Sequence, residues 1–385
     1  MKVERLRKEN YEELLDFINM VFSQDLIRVH FAEDLSYLFA EDDEHMRNQF
    51  ALRDETGRIR CAIGSIPYTY VVGDERFNVR TVTNVATHYR HTGKGYMRTV
   101  MNAVIEEMVK EDVDFAILSG HRERYRFFGF EAAGVCQSAN YIAHNAANRK
   151  KLGEIADFTF REVNQEDTET IRRCTELYNR EVQRIERPED QFIAYGAIWR
   201  GKVFAVLDSK GKFCGYLNYC DRWGGDMREL YLYNPSLTPR VIASFMNFTG
   251  RESVTLTYSP FDKENVRVIQ DTAETLHTSQ TCRMKLFKPE RLTAACLNAK
   301  LKAGVYMPEG EIIIGCVFGN LRTKNNGVFT AELTGEAPAF TASGYEIYSL
   351  LFGPCSQSIP VWSKELAELS PWFPAPFHIN PTDRY

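Results

Sequence analysis

The residues best suited to chemistry in this 385-residue chain form a glycine-rich stretch that begins at Arg90. It reads Arg90-x-x-Gly93-x-Gly95 and lies between a β-branched run typical of a strand and apolar residues at helical spacing. Glycines at a strand-to-helix turn let backbone N–H groups approach an anion, and the helix N-terminus adds partial positive charge. The pattern therefore predicts a pyrophosphate-binding loop. It is neither a Walker loop nor a three-glycine dinucleotide fingerprint.

A second candidate stretch follows a short apolar strand predicted at residues 113–118. Gly120 lies two residues after the end of this strand, and a Tyr-x-x-Phe-Gly-Phe sequence starts at Tyr125. The two motifs in this order and at this spacing are more specific than either motif alone. Tyr125 has two open interpretations, a core aromatic whose hydroxyl finds a partner or a proton donor in a reaction.

Together these stretches resemble the coenzyme A loop and the tyrosine segment of the GNAT superfamily of N-acetyltransferases. The resemblance implies acetyl-CoA as co-substrate and direct transfer of acetyl to an amine, with Tyr125 as general acid. It also implies that the backbone N–H of Val85 polarises the thioester carbonyl. The cofactor-binding residues that it implies are Val85, Arg90, His91, Thr92, Gly93, Lys94, Gly95, Tyr96 and Gly120.

The organisation of the chain predicts three domains. Residues 145–157 are polar and mark a boundary, and the sequence beyond them repeats features of the start at a nearly constant offset. At the position where a second copy of the pyrophosphate-binding loop is expected, the chain has Pro235 and Pro239 and no Arg-x-x-Gly-x-Gly. The predicted domains are 1–148, catalytic; 149–282, a degenerate copy without a cofactor site; and 283–385.

The order of an active GNAT domain, a degenerate GNAT-like domain and a final α/β domain similar to sterol carrier protein type 2 resembles the Eis (enhanced intracellular survival) acetyltransferases. The resemblance implies a mixed α+β and α/β fold. It implies a ring-like homo-oligomer, for which a hexamer is one form. It also implies that the terminal carboxylate of Tyr385 enters the active site, where it is the candidate proton acceptor, with Asp383 as a rival.

Composition excludes several other classes. The net charge of −5 and pI of about 6.0 argue against binding to nucleic acid or to anionic membranes, and no apolar run approaches a membrane span. Nine scattered cysteines without a C-x-x-C pair favour a reducing cytoplasm. Eight histidines without an H-x-H or H-x-x-x-H pair predict no protein-ligated metal.

The acetyl acceptor stays open at this stage. A small polycationic amine and a lysine side chain of a peptide or protein are both compatible with the sequence. The acidic run at residues 41–44 is either a solvated face or the entrance for a cationic substrate. A catalytically silent regulatory protein that binds CoA or a lipid is the alternative class.

Overall fold

The computed structural model describes residues 2–24, 29–143, 150, 152, 158–222, 225–354, 364–375 and 377–384. The chain forms two compact units. The first unit contains the residues up to 134, residues 280–377 and residue 384. The second contains residues 135–279 and 378–383. The three-domain division therefore stays a prediction, and each unit is described separately.

The first stretch of chain, up to Gly134, alternates strands with short and long helices. Its strands are β1 Val3–Arg5, β2 Gln49–Arg53, β3 Ile59–Val72, β4 Glu75–Thr87, β5 Phe115–Leu118 and β6 Glu131–Ala133. Its helices are α1 Tyr11–Phe22, α2 Phe31–Asp34, α3 Asp43–Met46, α4 Tyr96–Lys110 and α5 Arg122–Tyr125.

The middle stretch, from residue 135 to residue 279, is also mixed. Its strands are β7 Cys136–Ile142, β8 Phe158–Glu162, β9 Gln183–Ile185, β10 Lys202–Asp208, β11 Phe213–Cys220, β12 Asp226–Leu232, β13 Ser253–Tyr258 and β14 Thr275–Ser279. Its helices are α6 Thr168–Tyr178, α7 Phe192–Gly196, α8 Thr238–Thr249 and α9 Lys263–Thr272.

The last stretch begins with a strand that joins the first unit's sheet. Its strands are β15 Cys282–Leu286, β16 Gly310–Cys316, β17 Gly319–Asn325, β18 Phe329–Thr334 and β19 Phe340–Thr341. Its helices are α10 Pro289–Lys302, α11 Gly344–Phe352 and α12 Lys364–Glu368. Mixed α/β structure thus runs through the whole chain, as predicted.

The first unit's main sheet has the strand order β1-β2-β3-β4-β5-β15-β6. Its strands pair antiparallel except β4 and β5, which run parallel. A parallel pair needs a crossover, and α4 supplies it while packing on β2, β3 and β4. The apolar stripe of α4 forms a core with the sheet; its buried members include Val82, Val100, Met101, Val104, Leu118, Tyr125 and Phe130.

The second unit's sheet has the order β8-β10-β11-β12-β13-β7-β14, which repeats the arrangement of the first. Antiparallel strands again lead to one parallel pair, here β12 with β13. After β12 the chain makes a 3₁₀ turn at Pro235–Leu237 and enters α8. A strand, a turn and a helix thus follow one another here as they do from β4 to α4, with prolines in place of the glycines.

A smaller sheet of the first unit has the order β18-β17-β16-β19 and is covered by α10. The sequence analysis did not predict β17, because its residues are mostly polar. The last segment of the chain, which begins at Pro371 and is called the tail, packs against this region. Trp372 is fully buried, and its indole N–H donates to the Pro308 carbonyl at 2.9 Å. The Lys300 ammonium donates to the carbonyls of Pro371, Trp372 and Pro374.

Candidate active site

The predicted phosphate loop has strand, turn and helix where the pattern requires them. Strand β4 ends at Thr87, a 3₁₀ turn covers Tyr89–His91, and α4 begins at Tyr96. Gly93 and Gly95 both have φ of +79°, a left-handed conformation that favours glycine. A Cβ at either position would meet nothing within 4 Å, so conformation rather than space requires the glycines.

The loop is exposed and cationic. Arg90 lies with its guanidinium 5.4 Å from the centre of the Tyr89 ring, and Lys94, four residues later, is exposed. The pKa of His91 is lowered, first by partial desolvation and then by the charges of Lys94 and Arg60. A helix N-terminus with these cations suits an anion such as a pyrophosphate. The residues present therefore fit the predicted ligand.

β4 and β5 stop pairing partway along β4, and we call the region beyond their last pair the cleft. Their parallel pairing ends at Val82↔Leu118. Beyond this pair β4 continues to Thr87, while the chain after Leu118 turns through Gly120 into α5. A register shift between β3 and β4 sets two residues of β4, Asn84 and Val85, against one residue of β3. Val85, which was predicted from sequence, thus lies at a β-bulge beside the divergence.

Tyr125 ends α5 and packs into the core of the first unit, next to Gly120. Its side chain is buried, and its ring lies against Gly120, whose φ is +142°. Burial raises the pKa of the Tyr125 hydroxyl, and Arg124 opposes this shift. The hydroxyl is therefore protonated at neutral pH, as a proton donor must be. The structure brings Gly120 and Tyr125 together, and the ring also has the core role that was the other interpretation.

Of the two candidate proton acceptors, Tyr385 lies outside the described residues. Asp383 lies in the second unit, fully buried. Arg187 donates to its Oδ1 at 3.0 Å, and the Tyr178 hydroxyl lies 3.0 Å from its Oδ2. Burial raises the pKa of Asp383 to about 6, against the opposing effect of Arg187. Both carboxylate oxygens are therefore engaged in a structural network, which makes Asp383 an anchor of the tail.

The acidic run at residues 41–44 is used for local structure. Asp42 caps α3, because its Oδ1 accepts from the His45 backbone N–H at 2.8 Å. This hydrogen bond is the main cause of the lowered pKa of Asp42. Asp43 accepts from the backbone N–H of Lys8 at 3.0 Å. These contacts favour the solvated-face interpretation for the two aspartates.

Three residues beside the cleft were missed by sequence analysis, namely Gln49, Gly64 and Asn84. Asn84 has φ of +40° in the middle of a strand and is buried. Its only signal in the sequence was an asparagine, a type that tolerates left-handed backbone, inside a β-branched run.

Within the described ranges, no group of three or more His, Cys, Asp or Glu side chains could hold a metal ion.

The family model described as "Acetyltransferase (GNAT) domain" matches residues 2–133. This chain carries a GNAT acetyltransferase domain. The predicted loop, the diverging strands and Tyr125 all lie inside the GNAT domain. Enzymes of this superfamily use acetyl-CoA or another acyl-CoA. A comparison with curated proteins finds no match.

Solved structures extend the likeness of fold beyond the GNAT domain. A GCN5-related N-acetyltransferase from Anabaena variabilis is 15% identical, with a TM-score of 0.67 and 100% of both chains covered. One from Kribbella flavida is 14% identical, with a TM-score of 0.66, covering 100% of this chain and 98% of that one. Eis1 from Mycobacterium abscessus is 13% identical, with a TM-score of 0.61, covering 91% and 89%. The resemblance to Eis is confirmed as a likeness of fold.

In the part of the chain that is described, no helix has the length and apolarity to cross a membrane.

Proposed function

We propose that the protein is an acetyl-CoA-dependent N-acetyltransferase that moves acetyl directly to an amine. The observation that supports this most is the divergence of β4 and β5 after Val82↔Leu118 in the GNAT domain. Val85, Gly120 and Tyr125 lie at this divergence, and the cationic loop follows the end of β4. Acyl transfer needs three functions, which are binding an anionic carrier, polarising a carbonyl and donating a proton. Each of them thus has a candidate group.

The loop is the proposed binding site of the CoA pyrophosphate. Its backbone N–H groups precede the N-terminus of α4, where the helix dipole favours negative charge. Arg90 and Lys94 add full charges near it. The residues proposed to hold CoA are Arg90, His91, Thr92, Gly93, Lys94, Gly95 and Tyr96.

The proposed mechanism assigns one role to each group of the cleft. Acetyl-CoA supplies an activated acetyl thioester. The Val85 N–H donates to the carbonyl oxygen while the C–N bond to the amine forms and the C–S bond breaks. Tyr125 gives its proton to the departing sulfur, and a base takes the proton that the amine loses. The Tyr385 carboxylate remains the predicted base. A short extension after Tyr385 should abolish turnover if that is correct.

The acceptor is proposed to be a small polycationic amine or a lysine side chain. Turnover of acetyl-CoA against polyamines, aminoglycosides and lysine peptides tests this, with Gly93→Asp, which is expected to lose CoA binding, as the inactive control. Release of CoA that depends on one amine class would identify the acceptor. Tight CoA binding without turnover of any amine would favour the alternative, a silent CoA- or lipid-binding regulatory protein.

The domain assignments are part of the proposal. Residues 149–282 would be a degenerate GNAT-like domain, which the repeated strand order and the prolines after β12 support. Residues 283–385 would be the sterol-carrier-like domain, with a homo-oligomer and a cytoplasmic location as further proposals. Sedimentation of the purified protein tests the oligomer.

A further inference from the structure

Asn84 combines burial with an unusual backbone at the centre of the proposed site. It lies in β4, two residues after the last pair with β5, and has φ of +40°. A non-glycine residue in this region is strained, and such strain tends to persist where the surrounding structure enforces it. The register shift that contains Asn84 also contains Val85. The conformation of Asn84 therefore determines the orientation of the Val85 backbone.

Gly64, on the neighbouring strand β3, leaves the space that Asn84 occupies. A Cβ at Gly64 would stand 2.4 Å from Oδ1 of Asn84, 2.8 Å from Cγ2 of Thr83 and 3.0 Å from Oε1 of Gln49. Two of these atoms are the amide oxygens of buried side chains. A methyl group at this position would therefore displace the Asn84 side chain, and the bulge would have to change with it.

Gln49, on β2, holds the Asn84 side chain from the far side of Gly64. Asn84 Nδ2 donates to Gln49 Oε1 at 3.0 Å, and Gln49 is fully buried. Two atoms of the pair, Gln49 Nε2 and Asn84 Oδ1, have no hydrogen-bond partner among the described residues. If both side-chain amides were rotated by 180°, one donor and one acceptor of the pair would still be without a partner. Each such buried group costs about 1–3 kcal/mol.

We propose that Gln49, Gly64 and Asn84 are positioning residues that hold the β4 bulge and so aim the Val85 N–H into the cleft. The inference rests on the proposed acetyl transfer, in which this N–H stabilises the developing charge on oxygen. Strain at Asn84 and unsatisfied polar atoms at the same point make the arrangement unfavourable for stability alone. A catalytic demand on the Val85 backbone accounts for keeping it.

Variants that separate stability from activity test the proposal. Gln49→Met keeps the length of the side chain and removes its polar atoms. We expect unchanged or higher thermal stability, unchanged CoA affinity and kcat lowered by about 10²-fold, the usual effect of a small misplacement. Thr81→Val is the matched control, because Thr81 is buried on β4, the strand of Asn84, and its Oγ1 also has no partner in the described part of the chain. Its kcat should equal that of the wild type.

Two further substitutions report on the backbone. Asn84→Gly keeps access to a left-handed φ and should retain more activity than Asn84→Ala, which does not. The Val85 amide resonance should shift in Asn84→Ala and Gln49→Met and stay in place in Thr81→Val. Wild-type kcat in Gln49→Met, or equal kcat in the two Asn84 variants, would overturn the inference. If the wild type acetylates no amine, the proposed function fails, and an unmoved Val85 resonance would then overturn the positioning role independently.

Discussion

The ring of Tyr125 lies against the backbone of Gly120 so closely that a Cβ on Gly120 would stand 2.8 Å from Cε2 of the ring. Gly120 follows β5, and Tyr125 ends α5, so this contact fixes the short connection between them. The absence of a side chain at Gly120 thus leaves the space that the ring of Tyr125, the proposed acid, occupies.

Gly120→Ala should therefore displace the tyrosine ring. The added methyl also meets a φ of +142°, which residues with a Cβ rarely adopt, so we expect a loss of about 1–3 kcal/mol in stability. We expect kcat to fall by more than the loss of folded protein explains. Denaturant unfolding and kinetics on the folded fraction would measure both. An active, equally stable variant would contradict the contact.

Tyr125→Phe keeps the packed ring and removes the proton donor. We expect kcat to fall by roughly 10²–10⁴-fold with a modest change in KM. Because burial raises the pKa of Tyr125, the wild-type kcat should not decline between about pH 7 and pH 9 through loss of this proton. A pH–rate profile of both proteins checks this. Wild-type turnover in the variant would leave Tyr125 a core residue only.

Gly93→Asp should abolish CoA binding while the fold survives. The substitution adds a negative charge where the pyrophosphate is proposed to bind. Gly57→Asp is the matched control, since Gly57 shares the φ of +79° and open surroundings but lies in the β2–β3 turn. Calorimetric titration with CoA should show loss of binding in the first variant only. Equal affinities would refute the loop assignment.

The second unit should bind no CoA. Its strands β12 and β13 stop pairing after Met227↔Leu256, and side chains of the tail contact β12 beyond that point. Asn380 donates to the Tyr231 hydroxyl at 3.1 Å, and Thr382 bonds to Glu229. The chain itself therefore occupies this position. Titration should give one CoA per chain, and a second site surviving in Gly93→Asp would show the expectation to be wrong.

Arg187 should be essential for stability, because it is the buried cation between two carboxylates. It donates to Glu229 Oε1 at 2.6 Å as well as to Asp383. Arg187→Met would leave both carboxylates buried, at a cost of about 3–5 kcal/mol at neutral pH.

The pH dependence of this loss has a definite sign. Without Arg187 the folded state would bind protons that the unfolded state does not, so the stability of the variant should rise as the pH falls from about 7 to 5. Urea unfolding at both values measures it. Arg172→Met, at an exposed ion pair, is the control and should leave stability close to that of the wild type at both pH values. A pH-independent loss would contradict the two-carboxylate network.

The sequence alone determined the elements whose signals are local. The turn with Gly93 and Gly95, the stripe of α4 and the strand at residues 115–118 depend on neighbours in sequence, because helix periodicity and left-handed glycines are short-range properties. The predicted duplication also rests on local features of the sequence. Tyr125 was found through its motif, although the sequence did not show that its ring packs against Gly120.

Only the tertiary structure decided the features that depend on distant partners. Strand β15 belongs to the first unit's sheet, between β5 and β6, because its hydrogen-bond partners are there. Asn84 adopts its bulge with Gln49, which is 35 residues away in sequence. Asp383 is an anchor because Arg187, 196 residues earlier, holds it in a buried site. Pairings across such distances leave no periodic trace in the chain, since each is made by the packing of separate elements.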